Sequence, residues 1–167
     1  MFYAGIGSRN TPESIRHAMT RLAQALAKYG ILRSGGADGA DSAFEKGCDL
    51  ANCQKEIYLP WKNFNNNLSP LFKITNEAKE LAATIHPAWD NLSWGAKKLH
   101  ARNCYQILGF QLNQPVDFVV CYTDESLPYG GTKTALALAR RYNRPIYNLH
   151  KMTEEEVKLA LGLTDEY

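Results

Sequence analysis

The chain has 167 residues, of which 45% are hydrophobic and 22% charged, which is the composition of an ordinary globular domain with a substantial core. Its net charge of +2 provides no overall basic field for nucleic acid, so any such binding requires a local patch. Because no signal peptide, membrane-spanning run or paired zinc spacing is visible, we expect a cytoplasmic protein whose four cysteines are reduced.

The first predicted element is a short apolar strand over residues 2–6, as expected of a buried parallel strand. A turn containing Gly7, Ser8 and Arg9 follows it and leads into a helix predicted over 11–29. Arg9 carries a fork of donors that matches phosphate oxygens, so we expect it to contact a phosphate. The alternative for Arg9 is a solvated surface charge.

A second unit of the same kind follows, with an apolar run over 30–32 and a helix over 42–52. The turn between them is formed by Ser34, Gly35, Gly36 and Ala37. In a strand, glycine turn and helix start, backbone N–H groups and the helix dipole converge on an anion. The alternative is a turn without a ligand, in which Asp38 or Asp41 serves as the N-cap of the helix.

The rest of the chain continues the alternation of strands and helices. The elements predicted there are a strand over 55–59, an insert of loops and helices over about 61–112, a strand over 116–122, a helix over 134–142, a strand over 145–149 and a helix over 153–161. Thr153 and Glu156 form a predicted capping box at the start of the last helix.

This order predicts an α/β, Rossmann-like, doubly wound and mainly parallel sheet of about five or more strands, with helices on both faces. We expect residues 1–167 to form a single domain. A third glycine turn after the fourth strand provides Gly130, Gly131 and Thr132, and Thr123 adds a hydroxyl at the end of that strand. Because ligands bind outside the carboxyl ends of parallel strands, we expect the three turns to share one crevice and to hold a phosphate.

The three glycine motifs together resemble a known superfamily. The pairing of Gly5-Ile6-Gly7-Ser8-Arg9 with Ser34-Gly35-Gly36-Ala37-Asp38-Gly39-Ala40-Asp41, closed by Gly130-Gly131-Thr132, is similar to the SLOG superfamily of Rossmann-like proteins. That superfamily includes the DNA-processing protein A (Smf) family, the Lonely-guy cytokinin phosphoribohydrolases and molybdenum-cofactor carriers. The first two motifs most resemble the DNA-processing protein A branch. The resemblance implies the fold and a nucleotide-binding crevice, and single-stranded DNA binding is the activity that this branch implies.

The sequence departs from the Lonely-guy pattern at the third turn. Lys133 stands at the position of a motif glycine, and Ala137 stands where that family has a catalytic glutamate. Asp38 and Asp41 are the carboxylates that the sequence places nearest the predicted phosphate turns. We therefore assign them as candidate catalytic residues for cleavage or transfer at an N-glycosidic bond, with helix capping as the alternative.

The insert carries a polar helix segment that could meet the other end of a nucleotide. On this helix Arg102 lies near Asn103, and Gln106 shares a face with Asn103. We predict that Arg102 and Asn103 lie on the base side of the ligand. The alternatives are a solvated helix face, or a surface for a single strand of nucleic acid.

The sequence thus predicts a protein that binds a nucleotide or a nucleotide-derived small molecule, and that is a candidate N-glycosidic hydrolase. The alternatives are a single-stranded DNA-binding protein and a sensor or sequestering protein for a signalling nucleotide. We predict no cofactor, no metal and no membrane partner, and we expect a homo-oligomer.

Overall fold

The structure, a computed structural model, describes residues 1–128 and 130–163. Its strands are β1 Phe2–Gly7, β2 Ile31–Ser34, β3 Lys55–Ile57, β4 Phe118–Tyr122 and β5 Ile146–Asn148. Its α-helices are α1 Glu13–Leu26, α2 Ala40–Leu50, α3 Asn76–Ala83, α4 Trp94–Leu108, α5 Thr132–Arg141 and α6 Glu154–Leu161. Among the described residues, no helix combines the length and the apolar character needed to cross a bilayer.

The five strands form one sheet in the order β3-β2-β1-β4-β5, and every neighbouring pair is parallel. The chain moves outward from β1 to β3 on one side and then crosses to β4 on the other side of β1. The predicted doubly wound α/β fold is confirmed. The place where the winding reverses lies between the carboxyl ends of β1 and β4, where ligands bind in folds of this kind.

Helices cover both faces of the sheet because side chains alternate along each strand. On one face, Tyr3 and Val120 pack against α1, α2 and α6. On the other face, Ala4 and Val119 pack against α3, α4 and α5. Where α1 packs against α2, Gly47 leaves no room for a Cβ beside the Thr20 carbonyl.

The predicted insert holds α3, α4 and the loop over residues 61–75. Part of this loop lies along the edge strand β3, where Tyr58 and Leu71 form a parallel bridge. The Leu59 N–H donates to the Leu71 carbonyl at 2.8 Å, and the Ser69 hydroxyl donates to the Ile57 carbonyl. The open side of β3 is therefore partly covered by the chain itself.

Local predictions about helix starts have mixed outcomes. The capping box is confirmed, since the Thr153 side chain accepts from the Glu156 N–H and the Glu156 side chain accepts from the Thr153 N–H. The predicted caps of α2 are wrong. Its N-cap is Gly39, which has no side chain to accept a hydrogen bond and adopts φ of 80°, a conformation suited to glycine.

The prediction of four reduced thiols is wrong for one pair. Cys48 and Cys53 form a disulfide between the end of α2 and the residues before β3. Cys104 and Cys121 are buried free thiols, and burial raises the pKa of each to about 12.

Candidate functional site

A cleft of about 570 Å³ lies at the reversal point between β1 and β4. Its walls are the turn after β1, the start of α2, the turn before α5, and one face of α4. The cleft therefore lies where the sequence predicted a shared crevice.

Most of the predicted site residues line this cleft. They are Gly7, Ser8, Arg9, Ala37, Asp41, Arg102, Asn103, Thr123, Gly130, Gly131 and Thr132. The predicted residues that do not line it are Ser34, Gly35, Gly36 and Asp38. Ser34, Gly35 and Gly36 belong to the second glycine turn, whose Ala37 does line the cleft, and Asp38 follows that turn.

Contacts of the second turn explain this placement. The Ser34 hydroxyl donates to the Gly5 carbonyl at 2.6 Å and so joins β2 to β1. The exposed Asp38 accepts a hydrogen bond from the Asn65 amide at 3.0 Å, and the same amide donates to the Gly36 carbonyl. Asp38 therefore contacts the insert loop instead of the cleft.

The turn after β1 is fixed by its own backbone and side chains. The Ser8 N–H donates to the Tyr122 carbonyl at 2.9 Å, and the Ser8 hydroxyl accepts from the Asn10 N–H at 3.1 Å. Arg9 is exposed, its guanidinium lies 6.0 Å from the Phe64 ring centroid, and none of the described carboxylates forms an ion pair with it. Arg9 thus retains its charge for a ligand.

The turn before α5 presents backbone donors to the cleft. Thr123 is held by Asn148, whose side chain accepts from the Thr123 N–H at 3.1 Å and donates to the Thr123 carbonyl at 2.9 Å. Within residues 1–128 and 130–163, no group accepts a hydrogen bond from the N–H of Gly131 or Thr132. These two groups stand at the N-terminus of a ten-residue helix, where an anion is favoured.

Arg102 is buried, with 4% of its surface exposed, so the alternative of a solvated helix face is wrong. Its Nη1 donates to the carbonyls of Gly35 and Tyr58, and thereby joins α4 to the ends of β2 and β3. Burial lowers the pKa of Arg102 to about 10, an effect that Asp41 opposes and Arg9 reinforces. The guanidinium remains charged at neutral pH.

Asn103, like Arg102, forms its hydrogen bonds with other groups of the protein. Its Oδ1 accepts from the Arg102 Nε at 2.9 Å, and its Nδ2 donates to the Gly131 carbonyl at 2.7 Å. Arg102 and Asn103 therefore connect the second glycine turn to the third one across the cleft.

Asp41 is a buried carboxyl, 4% exposed, that lines the cleft from the first turn of α2. Its Oδ2 accepts from the Ala37 N–H at 3.3 Å. Burial raises the pKa of Asp41 to about 6, while the Arg102 charge and the Ala37 and Ser34 hydrogen bonds oppose this rise. Asp41 therefore exchanges its proton close to neutral pH, as acid–base and ligand-binding carboxyls often do.

Two residues of α4 join the site without having been assigned to it from sequence. The His100 Nδ1 lies 2.8 Å from the Thr134 hydroxyl. Burial, together with the nearby charges of His86 and Arg102, lowers the pKa of His100 to about 4. Gln106 is 3% exposed and lines the cleft one turn beyond Asn103. The helical spacing of Asn103 and Gln106 was the available signal for Gln106, whereas the partners of His100 are distant in sequence.

The groups that the site offers to a ligand are hydrogen-bond donors and charges. Among the residues that the structure describes, no three His, Cys, Asp or Glu side chains are grouped so that they could hold an ion.

Comparison with known proteins bears on the fold. No family model matches the chain, and no curated protein matches it in sequence. Solved structures do match it. DNA processing protein A from Helicobacter pylori, described for its single-stranded DNA binding mode, has a TM-score of 0.58 at 18% identity, covering 99% of this chain and 74% of that one. The fold is Rossmann-like.

Two further structures share this fold. DNA processing protein A from Streptococcus pneumoniae has a TM-score of 0.57 at 17% identity, covering 88% of this chain and 49% of that one, so the present chain spans about half its length. The molybdenum cofactor carrier protein of Chlamydomonas reinhardtii has a TM-score of 0.53 at 19% identity, covering 97% of this chain and 85% of that one. At these identities the similarity shows the fold, and assignment to one branch stays a prediction.

Proposed function

We propose that the cleft binds a nucleotide or a nucleotide-derived ligand. The observation that carries this proposal is the convergence of Arg9 and the unpartnered N–H groups of Gly131 and Thr132, among the described residues, on one cleft. Charge-assisted hydrogen bonds from a guanidinium, together with the N-terminus of α5, form a suitable environment for a phosphate.

The size of the cleft supports a ligand larger than phosphate alone. Its volume of about 570 Å³ falls within the usual range for small-molecule sites. The lining residues of α4 run from Ala96 to Gln106, which corresponds to roughly 15 Å along the helix axis. A phosphate at the turns would therefore leave space for a sugar and a base beside α4.

The structural neighbours are consistent with this class of ligand. One is described by its binding of single-stranded DNA and another as a carrier of the molybdenum cofactor. Because identity to both is below 20%, the argument for this chain rests on its own cleft.

Calorimetric titration with nucleoside monophosphates and signalling nucleotides tests the proposal. Replacing Arg9 with alanine should weaken binding about 10- to 150-fold, the effect of losing a hydrogen bond to a charged group. The control is Arg141→Ala, which removes an exposed charge outside the cleft. Equal affinities of wild type and Arg9→Ala would contradict the assignment of Arg9.

Asp41 is the carboxylate that we propose for any turnover of the ligand. A carboxylate near the sugar stabilises the positive charge of an oxocarbenium-like transition state. Asp38 does not line the cleft, which leaves Asp41 as the better placed of the two candidates. If wild type releases free base from a nucleotide, Asp41→Asn should abolish release while binding persists. Tight binding of an intact nucleotide over hours would instead favour a sensor or sequestering protein.

Single-stranded DNA binding is the second candidate, favoured by a surface beside the cleft. Trp94 is 70% exposed and Trp61 is 40% exposed, and the Lys98 ammonium lies 3.6 Å from the Trp94 ring centroid. Exposed aromatic rings and cations bind bases and backbone phosphates of a single strand. Fluorescence anisotropy with oligo-dT should then show strongly salt-dependent binding that Trp94→Ala weakens, and salt-independent or absent binding would contradict this candidate.

A further inference from the structure

Three polar side chains that line the cleft, Asp41, Arg102 and Gln106, converge on Gly35. At the position that a Cβ of Gly35 would occupy, the Asp41 Oδ2 and the Arg102 Nη1 each stand 2.8 Å away, and the Gln106 Nε2 stands closer still. These side chains come from α2 and α4, and only glycine leaves room for all three.

Gln106 is the unsatisfied member of this group. It is 3% exposed and lines the cleft, yet no residue within 1–128 and 130–163 forms a hydrogen bond with its amide. The amide carries two donor hydrogens and an acceptor oxygen, and these atoms are not among the fully buried side-chain atoms without a partner in the described residues, which belong to Tyr3 and Arg144. The Gln106 amide therefore opens to the cleft, where a ligand can supply the hydrogen-bond partner that the protein does not.

The charges around Gln106 indicate what kind of ligand group fits. The Asp41 carboxyl offsets the Arg102 guanidinium. Glu45 of α2 also acts on Asp41, although its carboxylate is paired with the Lys55 ammonium at 2.8 Å. Two of the three guanidinium nitrogens of Arg102 are already bonded to the protein. This region is therefore much less favourable to a phosphate than the vicinity of Arg9 and α5.

We propose that Gln106 and Asp41 form a subsite that recognises an uncharged group carrying adjacent hydrogen-bond donors and acceptors. In a nucleotide, this chemistry is provided either by the ribose hydroxyls or by the amide edge of the base. The inference rests on the proposed nucleotide-binding function and names Gln106 as the residue that determines specificity in the part of the cleft beside Gly35.

The consequence is selective recognition of the ligand's polar end. A site built to hydrogen-bond a substrate group rejects analogues without that group, because its own buried polar atoms are then left unpaired. Replacement of Gln106 should affect nucleotide binding and leave the binding of inorganic phosphate unchanged.

The experiment compares wild type, Gln106→Met and the control Gln24→Met, which changes an exposed glutamine of α1. The probes are inorganic phosphate, ribose 5-phosphate, and the four ribonucleoside 5′-monophosphates with their 2′-deoxy forms. We expect Gln106→Met to weaken the best nucleotide about 5- to 150-fold, with phosphate affinity within about twofold of wild type. If Gln106→Met does not fold, Gln106→Asn should weaken the same nucleotide, because the shortened amide cannot reach the ligand.

The arms of the experiment separate the two sources of the recognised group. If Gln106→Met weakens the binding of ribose 5-phosphate, and wild type binds the 2′-deoxy nucleotides weakly, the recognised group is the pair of ribose hydroxyls. If Gln106→Met weakens the binding of nucleotides but not of ribose 5-phosphate, the recognised group is the edge of the base. Unchanged nucleotide binding by the variant, or an equal loss for phosphate, would overturn the subsite while leaving nucleotide binding intact. A wild type that binds none of these probes would overturn the proposed function and the subsite together.

Discussion

Replacing Asp41 with asparagine should stabilise the protein, and the gain should depend on pH. The carboxyl is buried in the folded state, where its pKa rises from the ordinary 3.8 to about 6. Well below pH 4 the group is protonated in both the folded and unfolded states and does not affect stability. Between pH 4 and 6 the unfolded chain loses the proton first, so folding stability falls as the pH rises.

The size of the effect follows from the two pKa values. Their difference corresponds to about 3 kcal/mol at 1.36 kcal/mol per pKa unit, an upper value because the asparagine amide is also buried. The side chain introduced by Asp41→Asn retains an oxygen that can accept from the Ala37 N–H, so the local structure should persist. A gain of this size would raise the melting temperature by roughly 6 to 12 °C for a chain of this length.

Urea unfolding of both proteins between pH 4 and pH 8 provides the measurement. The free energy of unfolding of Asp41→Asn should be closest to that of wild type at pH 4 and exceed it by up to about 3 kcal/mol above pH 7. Asp38→Asn is the matched control, since this exposed aspartate should change stability by less than about 0.5 kcal/mol at any pH. A destabilised Asp41→Asn would show that the charge of Arg102 outweighs the effect of burial, and a difference independent of pH would show that folding does not raise the pKa of Asp41.

Three further outcomes are expected. Gly47→Ala should lower the free energy of unfolding, measured in urea titrations, by about 1–3 kcal/mol, because the added Cβ would meet the Thr20 carbonyl between α1 and α2. An unchanged free energy of unfolding would contradict this packing. Thr153→Ala should lower the free energy of unfolding, measured by thermal unfolding, by about 0.5–2 kcal/mol through loss of the α6 capping box. An unchanged stability would mean that the cap is dispensable. Treatment with a chelator should leave the melting temperature and nucleotide affinity unchanged, and a fall in either would reveal a metal site.

The order of strands and helices could be predicted because strand and helix periodicity and glycine turns are local signals. Each glycine turn follows a strand and precedes a helix in both the sequence pattern and the structure. The position of the cleft then follows from a general property of parallel sheets, whose strands share one carboxyl edge. Residues such as Arg9 and Thr132 were therefore assigned from their place after a strand.

The roles of the α4 residues could not be predicted in the same way. Arg102 and Asn103 are polar, and polarity alone favours a solvated face. Their burial depends on carbonyls of Gly35 and Gly131, which are 67 and 28 residues away in the chain. Likewise, Asp38 and Asp41 both suit a helix cap, and only the backbone conformation of Gly39 excludes them.

The loop that lies along β3 also bears on how the protein behaves at high concentration. An uncovered edge strand presents unpaired backbone groups to which another molecule can add a strand, which leads to aggregation. Here Leu71 bridges Tyr58 and accepts from the Leu59 N–H, so part of that edge is already occupied. The loop over 61–75 thus shields part of this edge from strand addition by another molecule. Shortening the loop in an engineered variant would expose a self-association surface at the edge of the sheet opposite β5.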